Sequence, residues 1–434
     1  PTIIAENDLP DYYSNPNKTF KYLYNWRPVC EQYEKYQLEL FNSMWEKSFK
    51  QIPFYKYWKE TNNIKPSLKY IKELDDFPIL DNKIIKENYD LIISKSNVKS
   101  TISTGGSTGT PTIFPSSISN INYFYSTTYL GRKWWGIEPG DKIVLMWGHS
   151  HLLGTGINGK LNNTIRDIKD YILNIKRLNA YNMSIENIKL YYEEIKKIKP
   201  TAIIGYTSCI FKLAEYMIEN NLSGSLGNQI KCIIPTAEMI TTTDINKFKK
   251  AFKCNIAIEY GMAETGVVAY SRNNTLTLQI FWDSFYVSLR DTLIVTTLKR
   301  DDFPLINYNT GDIVIKNKES DNNYNIGLIQ GRNKDIFYVG KKNSESYYSI
   351  SGIFFVHVIK NFPGVYSIQV QQLNNKSIKI SILSKKDLSL DTLKIFFIKE
   401  SQNDFPNLNY DLIYLDYKKD FISSVSGKDT LRII

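Results

Sequence analysis

Apolar residues in the middle of the chain alternate between short continuous runs and longer stretches in which they recur every three or four positions. The continuous runs lie at 141–147, 201–205, 230–235 and 255–260. The stretches with helical spacing lie at 185–198, 210–220 and 243–252. Short buried strands separated by longer helices are typical of βαβ units, so this region is predicted to form a parallel sheet covered by helices.

The pattern changes on both sides of this region. Helices are predicted at 29–49, 68–77, 83–94 and 119–131. Strands are predicted at 276–280, 285–288, 292–297 and 312–315, and a mixed region follows with helices at 353–360 and 390–399 and strands at 366–373 and 377–383. The sequence therefore predicts an α/β fold. A large N-terminal domain (1–331) would combine parallel-sheet βαβ subdomains with a β-rich subdomain, and a small α+β C-terminal domain (332–434) would follow.

Composition narrows the class of protein. The chain has 434 residues, of which 42% are hydrophobic and 23% charged, which is typical of globular proteins. The net charge of +10 comes from lysines scattered over helical stretches, so we interpret it as solvated helix faces and expect no nucleic-acid partner. The four cysteines lack CxxC spacing and are expected to be reduced and buried. No apolar run is long enough to span a membrane and no signal peptide is evident, so a cytoplasmic location is expected.

One segment has a composition that an ordinary turn does not need. Nine Gly, Ser or Thr residues and one Pro form the sequence Ser103-Thr104-Gly105-Gly106-Ser107-Thr108-Gly109-Thr110-Pro111-Thr112. Glycines allow close approach of the backbone to a ligand, and amides and hydroxyls donate to phosphate oxygens. The segment lacks the lysine of a Walker P-loop. It predicts a phosphate loop of another kind; the alternative is a flexible Gly/Ser linker.

Four further short motifs follow along the chain. They are Tyr260-Gly261-Met262-Ala263-Glu264, Tyr308-Asn309-Thr310-Gly311-Asp312, Gly331-Arg332-Asn333-Lys334-Asp335 and Ser426-Gly427-Lys428. Each alone has a plain structural interpretation: a turn, a hairpin connection, a surface ion pair and a solvated lysine. Their order and spacing behind a phosphate loop favour a shared site.

Together the five motifs resemble those of the adenylate-forming superfamily, which includes acyl-CoA synthetases, firefly luciferase and peptide-synthetase adenylation domains. The phenylacetate-CoA ligase-like branch is the most similar, because Ile52-Pro53-Phe54-Tyr55 and Pro235-Thr236-Ala237-Glu238 resemble its signatures. The resemblance implies an acyl-CoA synthetase-like fold with a mobile C-terminal domain. It also implies ATP-dependent activation of a carboxylic acid with Mg²⁺.

The resemblance also implies roles for single residues. The glycine-rich loop, including Ser103, Thr104, Gly105, Gly106, Ser107, Thr108, Gly109 and Thr110, would hold the β- and γ-phosphates. Glu264 would ligate Mg²⁺. The adenine would lie beside Ala237, Glu238 and the Tyr260, Gly261, Met262 and Ala263 segment. Asp312 and Arg332 would bind the ribose, and Lys334 would be the hinge. Lys428 would reach the acyl carboxylate and α-phosphate as the catalytic lysine.

The acyl pocket is expected near five residues: His149, His151, Tyr206, Cys209 and Phe211. Because several of them are apolar, we expect an aromatic or medium-length apolar acid. A carboxylate is already ionised at neutral pH, so no base is needed, and the histidines would shape or gate the pocket or simply pack. Cys209 is interpreted as a buried structural cysteine rather than an acyl-accepting thiol.

The acyl acceptor stays open. Acyl transfer to a thiol, of CoA or of an acyl or peptidyl carrier protein, is the first hypothesis. An amine or a protein thiol as acceptor is the alternative, and a basic nucleic-acid-binding or scaffold protein on the same fold is the third. A homodimer is left open beside a monomer.

Overall fold

The computed structural model describes residues 26–93, 100–103, 112–147, 156–180, 185–272, 276–314, 324–332, 336–360, 362–384, 388–402, 405–418 and 432–433. The first part of this range is helical. It contains α1 (Trp26–Gln51), α2 (Pro53–Thr61), a 3-10 helix (Ile71–Asp76), α3 (Asn82–Glu87) and α4 (Tyr89–Ile93). Their apolar faces, with Trp45 and Tyr55 at the centre, pack against Phe303 and Tyr308 from a much later part of the chain. The Tyr308 side chain is therefore packed against this helical layer.

A hairpin and a helix come next. Strands β1 (Ser100–Ser103) and β2 (Ile113–Ser116) pair antiparallel, with Ser103 opposite Ile113. Helix α5 (Ile118–Lys133) begins after Ser117, whose hydroxyl accepts from the Asn120 N–H at 3.0 Å. Both ends of the predicted phosphate loop are thus brought together, while residues 104–111 lie outside the described residues.

The central element is a five-stranded parallel sheet with the strand order β4-β3-β5-β6-β7. Its strands are β3 (Ile143–Trp147), β4 (Ile175–Asn179), β5 (Ala202–Tyr206), β6 (Cys232–Thr236) and β7 (Asn255–Ile256). The helices between them are α6 (Gly156–Ile172), α7 (Ile185–Ile198), α8 (Thr207–Glu219) and α9 (Thr242–Phe252). Strands β5 and β6 are buried at every position, as expected for central strands of a parallel sheet.

Antiparallel strands form the second part of the large domain. A four-stranded sheet has the order β15-β10-β9-β8 and a three-stranded sheet the order β11-β12-β13, while β14 pairs with β16. The strands are β8 (Glu259–Met262), β9 (Gly266–Ser271), β10 (Leu278–Ile280), β11 (Phe285–Leu289), β12 (Leu293–Thr297), β13 (Tyr308–Asn309), β14 (Asp312–Val314), β15 (Asn325–Ile326) and β16 (Ile329–Arg332).

The last part of the chain has a hydrophobic core of its own, centred on Phe337, Phe355 and Phe397. It contains β17 (Ile336–Gly340), β18 (Tyr347–Ser351), α10 (Gly352–Lys360), β19 (Val365–Asn374), β20 (Ser377–Ser384), α11 (Leu390–Ser401), β21 (Ile413–Tyr417) and β22 (Arg432–Ile433). Strands β17 and β18 form a hairpin, and the others form a four-stranded sheet of order β21-β20-β19-β22. The exact domain limits of 1–331 and 332–434 stay a prediction.

The predicted α/β fold is confirmed, although several of its elements differ from those predicted. Helix α6 and strand β4 were not predicted, because the segment 156–179 is polar in its first half and lacks a continuous apolar run. The predicted strand 255–260 is divided: β7 belongs to the parallel sheet and β8 to an antiparallel one. Among the described residues, no helix is both long and apolar enough to cross a membrane.

Candidate active site

The carboxyl ends of the central parallel strands form one edge of the site. Trp147 ends β3, Tyr206 ends β5 and Thr236 ends β6. The rings of Trp147 and Tyr206 are 4.4 Å apart between centroids, and Tyr206 is opposite Thr236 in the strand register. Ligands of open α/β sheets bind outside this edge of the strands, so the sheet topology itself indicates a binding site here.

The chain turns sharply as it leaves β6. Ala237 has φ of 64°, in the left-handed region that residues other than glycine seldom adopt. The next carboxylate, Glu238, accepts from the Ser208 N–H at 2.7 Å and from the Ser208 hydroxyl at 3.1 Å. Because Ser208 lies in the first turn of α8, the carboxylate satisfies an N–H group there that has no partner within the helix. Glu238 therefore fixes the turn against α8, and Ala237 follows the carboxyl end of β6, while the adenine-binding role of both residues stays a prediction.

Two of the predicted nucleotide-binding residues are in direct contact. The Tyr260 hydroxyl donates to Asp312 Oδ2 at 2.7 Å, and both side chains are buried. Asp312 is directly opposite Arg332 in the pairing of β14 with β16. Tyr260 and Asp312, 52 positions apart in sequence, thus meet in the fold, while the adenine role of Tyr260 and the ribose roles of Asp312 and Arg332 stay predictions. Gly261 and Met262 continue β8 from Tyr260, and Ala263 is in the turn that follows.

A second buried carboxylate lies beyond that turn. Glu264 is 6% exposed, and its Oε1 accepts from the Tyr308 hydroxyl at 2.8 Å. Its backbone carbonyl accepts from Arg300, whose guanidinium also donates to the carbonyl of Pro115 at 2.7 Å and pairs with Asp302 at 2.5 Å. Pro115 is on β2, which follows the glycine-rich loop. One buried guanidinium therefore ties the strand leaving the loop to the predicted metal ligand.

The same cluster fixes the helix that follows the loop. Asp302 Oδ2 accepts from the Ser117 N–H at 2.7 Å, and the Ser117 hydroxyl donates to Asp301 at 2.9 Å. Ser117 caps α5. Arg300 and Asp302 were not singled out from the sequence, although the charged segment Lys299-Arg300-Asp301-Asp302 between apolar strands was a visible signal, and Tyr308 was named there only as part of its motif.

The predicted acyl-pocket residues on α8 do not all meet. The thiol of Cys209 is 3.7 Å from the carbonyl of Ala180, at the end of β4. Phe211 lies against α9, where the Lys247 ammonium is 3.9 Å from the ring centroid. Two residues apart on a helix, the side chains point in nearly opposite directions. Tyr206 ends β5, whereas Phe211 packs between α8 and α9, and the acyl-pocket role of these residues stays a prediction.

Several predicted residues lie outside the described residues: the loop from Thr104 to Thr110, His149, His151, Lys334 and Lys428. In sequence, Lys428 lies between two described strands of the small domain. Strand β21 precedes its segment and β22 follows it, and the two strands form opposite edges of the small domain's sheet. On the large domain, Met239 follows Glu238 and packs against the small domain's core. The small domain therefore lies against the edge that carries Ala237.

No group of three His, Cys, Asp or Glu side chains among the described residues could hold a metal ion by itself. Mg²⁺ in phosphate-transfer sites typically uses one or two carboxylates, with phosphate and water oxygens completing the octahedron. A single buried carboxylate such as Glu264 is consistent with that mode of binding.

The chain is similar to known proteins both in sequence and in structure. Protein CapK of Staphylococcus aureus is 26% identical over 325 residues, covering 72% of this chain and 71% of CapK. No protein-family model matches the chain. Among solved structures, 2-hydroxyisobutyryl-CoA ligase in the postadenylation state, bound to 2-HIB-AMP, superposes with a TM-score of 0.71. The match covers 92% of this chain and 89% of the ligase at 17% identity.

The chain has the fold of the adenylate-forming acyl-CoA ligases. ATP-bound MatB from Rhodopseudomonas palustris is similar too, with a TM-score of 0.52 over 77% of this chain and 67% of MatB at 12% identity. The fold predicted from the five motifs is thereby confirmed, and the phenylacetate-CoA ligase-like branch stays a prediction.

The ligase has also been solved in its thioesterification state, with CoA, and there the TM-score falls to 0.58 at nearly the same coverage. The arrangement of this chain is therefore closer to the postadenylation form of the ligase fold.

Proposed function

We propose that this protein activates a carboxylic acid with ATP, forming an acyl-AMP and pyrophosphate, and then transfers the acyl group to a thiol. The observation that carries the proposal is the hydrogen bonding of Arg300, which joins Glu264 to the strand leaving the glycine-rich loop. A phosphate loop and a metal-binding carboxylate are useful together only if both reach the same polyphosphate. In support, Arg300 bonds the backbone of Glu264 and that of Pro115, on the strand that follows the loop.

The proposed chemistry has two steps. A carboxylate oxygen attacks the α-phosphorus of ATP, the bond between the α- and β-phosphates breaks, and pyrophosphate leaves. A thiolate sulfur then attacks the acyl carbon, and AMP leaves while the thiol proton passes to solvent. Because the first step brings two anions together, positioning and positive charge supply most of the rate enhancement.

Different residues of this chain would supply the positioning and the positive charge. Tyr260 would lie beside the adenine, and Asp312 and Arg332 would bind the ribose. Glu264 would hold Mg²⁺, which supplies charge neutralisation at the phosphates when bound. Lys428, between β21 and β22 in sequence, would offset negative charge at the attacking oxygen and the α-phosphate.

We propose CoA, rather than a carrier protein, as the thiol that accepts the acyl group. In support, 2-hydroxyisobutyryl-CoA ligase has been solved with CoA in the same fold. ATP and CoA are cytoplasmic metabolites, so we expect the reaction to occur there. A carrier protein as acceptor, a homodimer and the absence of a nucleic-acid partner stay predictions.

The deciding experiment is carboxylate-dependent exchange of labelled pyrophosphate into ATP, measured with a panel of acids. The expected result is exchange that requires both an acid and Mg²⁺. Mass spectrometry of products formed with CoA, a holo-carrier protein or amines would then identify the acceptor. Absence of exchange with every acid, together with salt-sensitive binding of oligonucleotides, would favour the nucleic-acid-binding hypothesis instead.

A further inference from the structure

The hydroxyl of Tyr308, on β13, lies between the predicted metal ligand and the N-terminal helical layer. It is 2.8 Å from Glu264 Oε1 and 3.0 Å from the side-chain oxygen of Asn82, the first residue of α3. The Tyr308 side chain is completely buried and Glu264 is 6% exposed. One buried hydroxyl therefore connects α3 to the carboxylate that is predicted to hold Mg²⁺.

The position of this hydroxyl is fixed by the backbone on both sides of Tyr308. The Leu80 N–H donates to the Asn307 carbonyl at 3.1 Å, and the Asn309 N–H donates to the Leu80 carbonyl at 2.8 Å. The Tyr308 ring meets the ring of Phe114, on β2, edge to face, with 6.4 Å between their centroids. The phenol is therefore held between the segment before α3 and the strand that follows the glycine-rich loop, so its hydroxyl has little freedom to move.

The two oxygens near this hydroxyl compete for one proton. A tyrosine hydroxyl donates a single hydrogen bond, and an ionised carboxylate accepts a bond about twice as strong as a neutral amide does. The proton therefore belongs to Glu264. A half-turn of the Asn82 amide exchanges its oxygen with its NH₂ group, which then donates to the Tyr308 oxygen. Donation then runs from Asn82 to Tyr308 to Glu264, and each bond strengthens the next.

Satisfaction of a buried carboxylate is the plain structural alternative, and it gives Tyr308 no role beyond stability. The bonds of Arg300 do not distinguish the two roles, because they reach the Glu264 carbonyl and fix its main chain. Tyr308 bonds the carboxylate itself and thereby restricts its rotation. A carboxylate has about four lone-pair sites, so a bond from Tyr308 leaves others for a metal ion.

We propose that Tyr308 is a positioning residue for the metal ion: its hydroxyl orients the Glu264 carboxylate towards Mg²⁺, and Asn82 orients the hydroxyl. This inference rests on the proposed function, in which Glu264 holds Mg²⁺ at the phosphates. Partners that orient a metal ligand typically change metal affinity by about 10–100-fold when they are removed. The N-terminal helical layer thereby contributes to metal binding through a residue outside the five motifs.

The test compares ATP affinity with and without the metal. Isothermal titration calorimetry gives the Kd of ATP in Mg²⁺ and in EDTA, and the ratio of the two values measures the contribution of Mg²⁺ to binding. Tyr308→Phe should lower that ratio by about tenfold or more and leave the Kd in EDTA unchanged. Glu264→Gln sets the reference for a lost metal ligand. A purely structural role would change both Kd values alike or neither, so the ratio would stay that of the parent.

A second variant and matched controls make the test independent of one substitution. Asn82→Leu should lower the ratio about threefold, and Asn82→Leu combined with Tyr308→Phe should match Tyr308→Phe alone, because Asn82 acts through Tyr308. Tyr286→Phe removes a hydroxyl from the same hydrophobic core as Tyr308 and should leave the ratio unchanged. Asn88→Leu, at the end of α3, should leave it unchanged too, since Asn88 bonds the Ile84 carbonyl of its own helix.

The outcomes separate the two proposals. A parent-like ratio in Tyr308→Phe, when Glu264→Gln lowers it, would overturn this inference and leave the ligase proposal standing. If Tyr308→Phe failed to fold, a parent-like ratio in Asn82→Leu would overturn it equally. An ATP affinity of the parent that does not respond to Mg²⁺, together with no pyrophosphate exchange for any acid, would overturn both proposals.

Discussion

The two sides of the candidate site differ in what holds them together. At Glu264, the carboxylate accepts from the Tyr308 hydroxyl, and the Arg300 guanidinium is bonded to Asp302 and to the backbone carbonyls of Glu264 and Pro115. At the carboxyl ends of β3 and β5, the contact is between aromatic rings, those of Trp147 and Tyr206, which lie 4.4 Å apart between centroids. Because ATP is constant and the acid defines specificity, a preorganised polar cluster is expected on the phosphate side and a more apolar lining on the acyl side.

The largest effect is expected at Arg300, whose guanidinium links the members of the polar cluster around Glu264. Arg300→Met leaves Asp302 as a buried charge without its partner, so we expect a loss of about 3–5 kcal/mol in the free energy of unfolding. Urea titration followed by tryptophan fluorescence would measure it. The control is Arg290→Met, an exposed arginine, with an expected change within about 0.5 kcal/mol. Equal effects of the two substitutions would show that the cluster is not preorganised.

A loss of catalysis without a loss of stability is expected at the small domain. Lys428→Ala should lower the rate of acyl-adenylate formation by about 10²–10³ while ATP binding and the unfolding temperature stay unchanged. Single-turnover release of pyrophosphate measures the rate, and Lys418→Ala, after β21, is the matched control. Undiminished pyrophosphate release would contradict the role given to Lys428.

A smaller change is expected where the polar cluster around Glu264 loses one hydrogen-bond donor. Tyr308→Phe removes the hydroxyl that bonds Glu264, so the free energy of unfolding should fall by about 1–3 kcal/mol. Tyr286→Phe is the matched control, because its hydroxyl is 3.4 Å from both oxygens of Asp75, at the limit of a hydrogen bond. A Tyr286 variant less stable than the Tyr308 variant would argue against preorganisation at Glu264.

The smallest effect concerns two cysteines in the apolar interior, at β6 and just before β7. Burial raises the pKa of the Cys254 thiol to about 12, and burial also raises that of Cys232 on β6. A raised pKa keeps the thiol protonated at pH 8, so neither should react with iodoacetamide in the native protein, whereas both should in urea. Mass spectrometry of modified peptides checks this, and native alkylation of Cys232 would indicate that β6 opens readily.

Local hydrophobic patterns were sufficient to predict most of the central parallel sheet and its helices. The helix at Ile185–Ile198 and the strands at β3, β5 and β6 follow directly from apolar periodicity, which depends only on neighbouring residues. The change of sheet between β7 and β8 was not predicted, since an apolar run has the same sequence whichever sheet its strand joins.

What the sequence determined by itself was the set of elements and the chemical identity of the site's charged groups, because glycine-rich loops, carboxylates and lysines are recognised one motif at a time. What only the tertiary structure decided was which of those groups meet. Arg300 acquires its role by bonding Glu264 and Pro115 across long stretches of chain, and Tyr260 meets Asp312 although they are 52 positions apart. Both are properties of packing between distant segments, which no local pattern records.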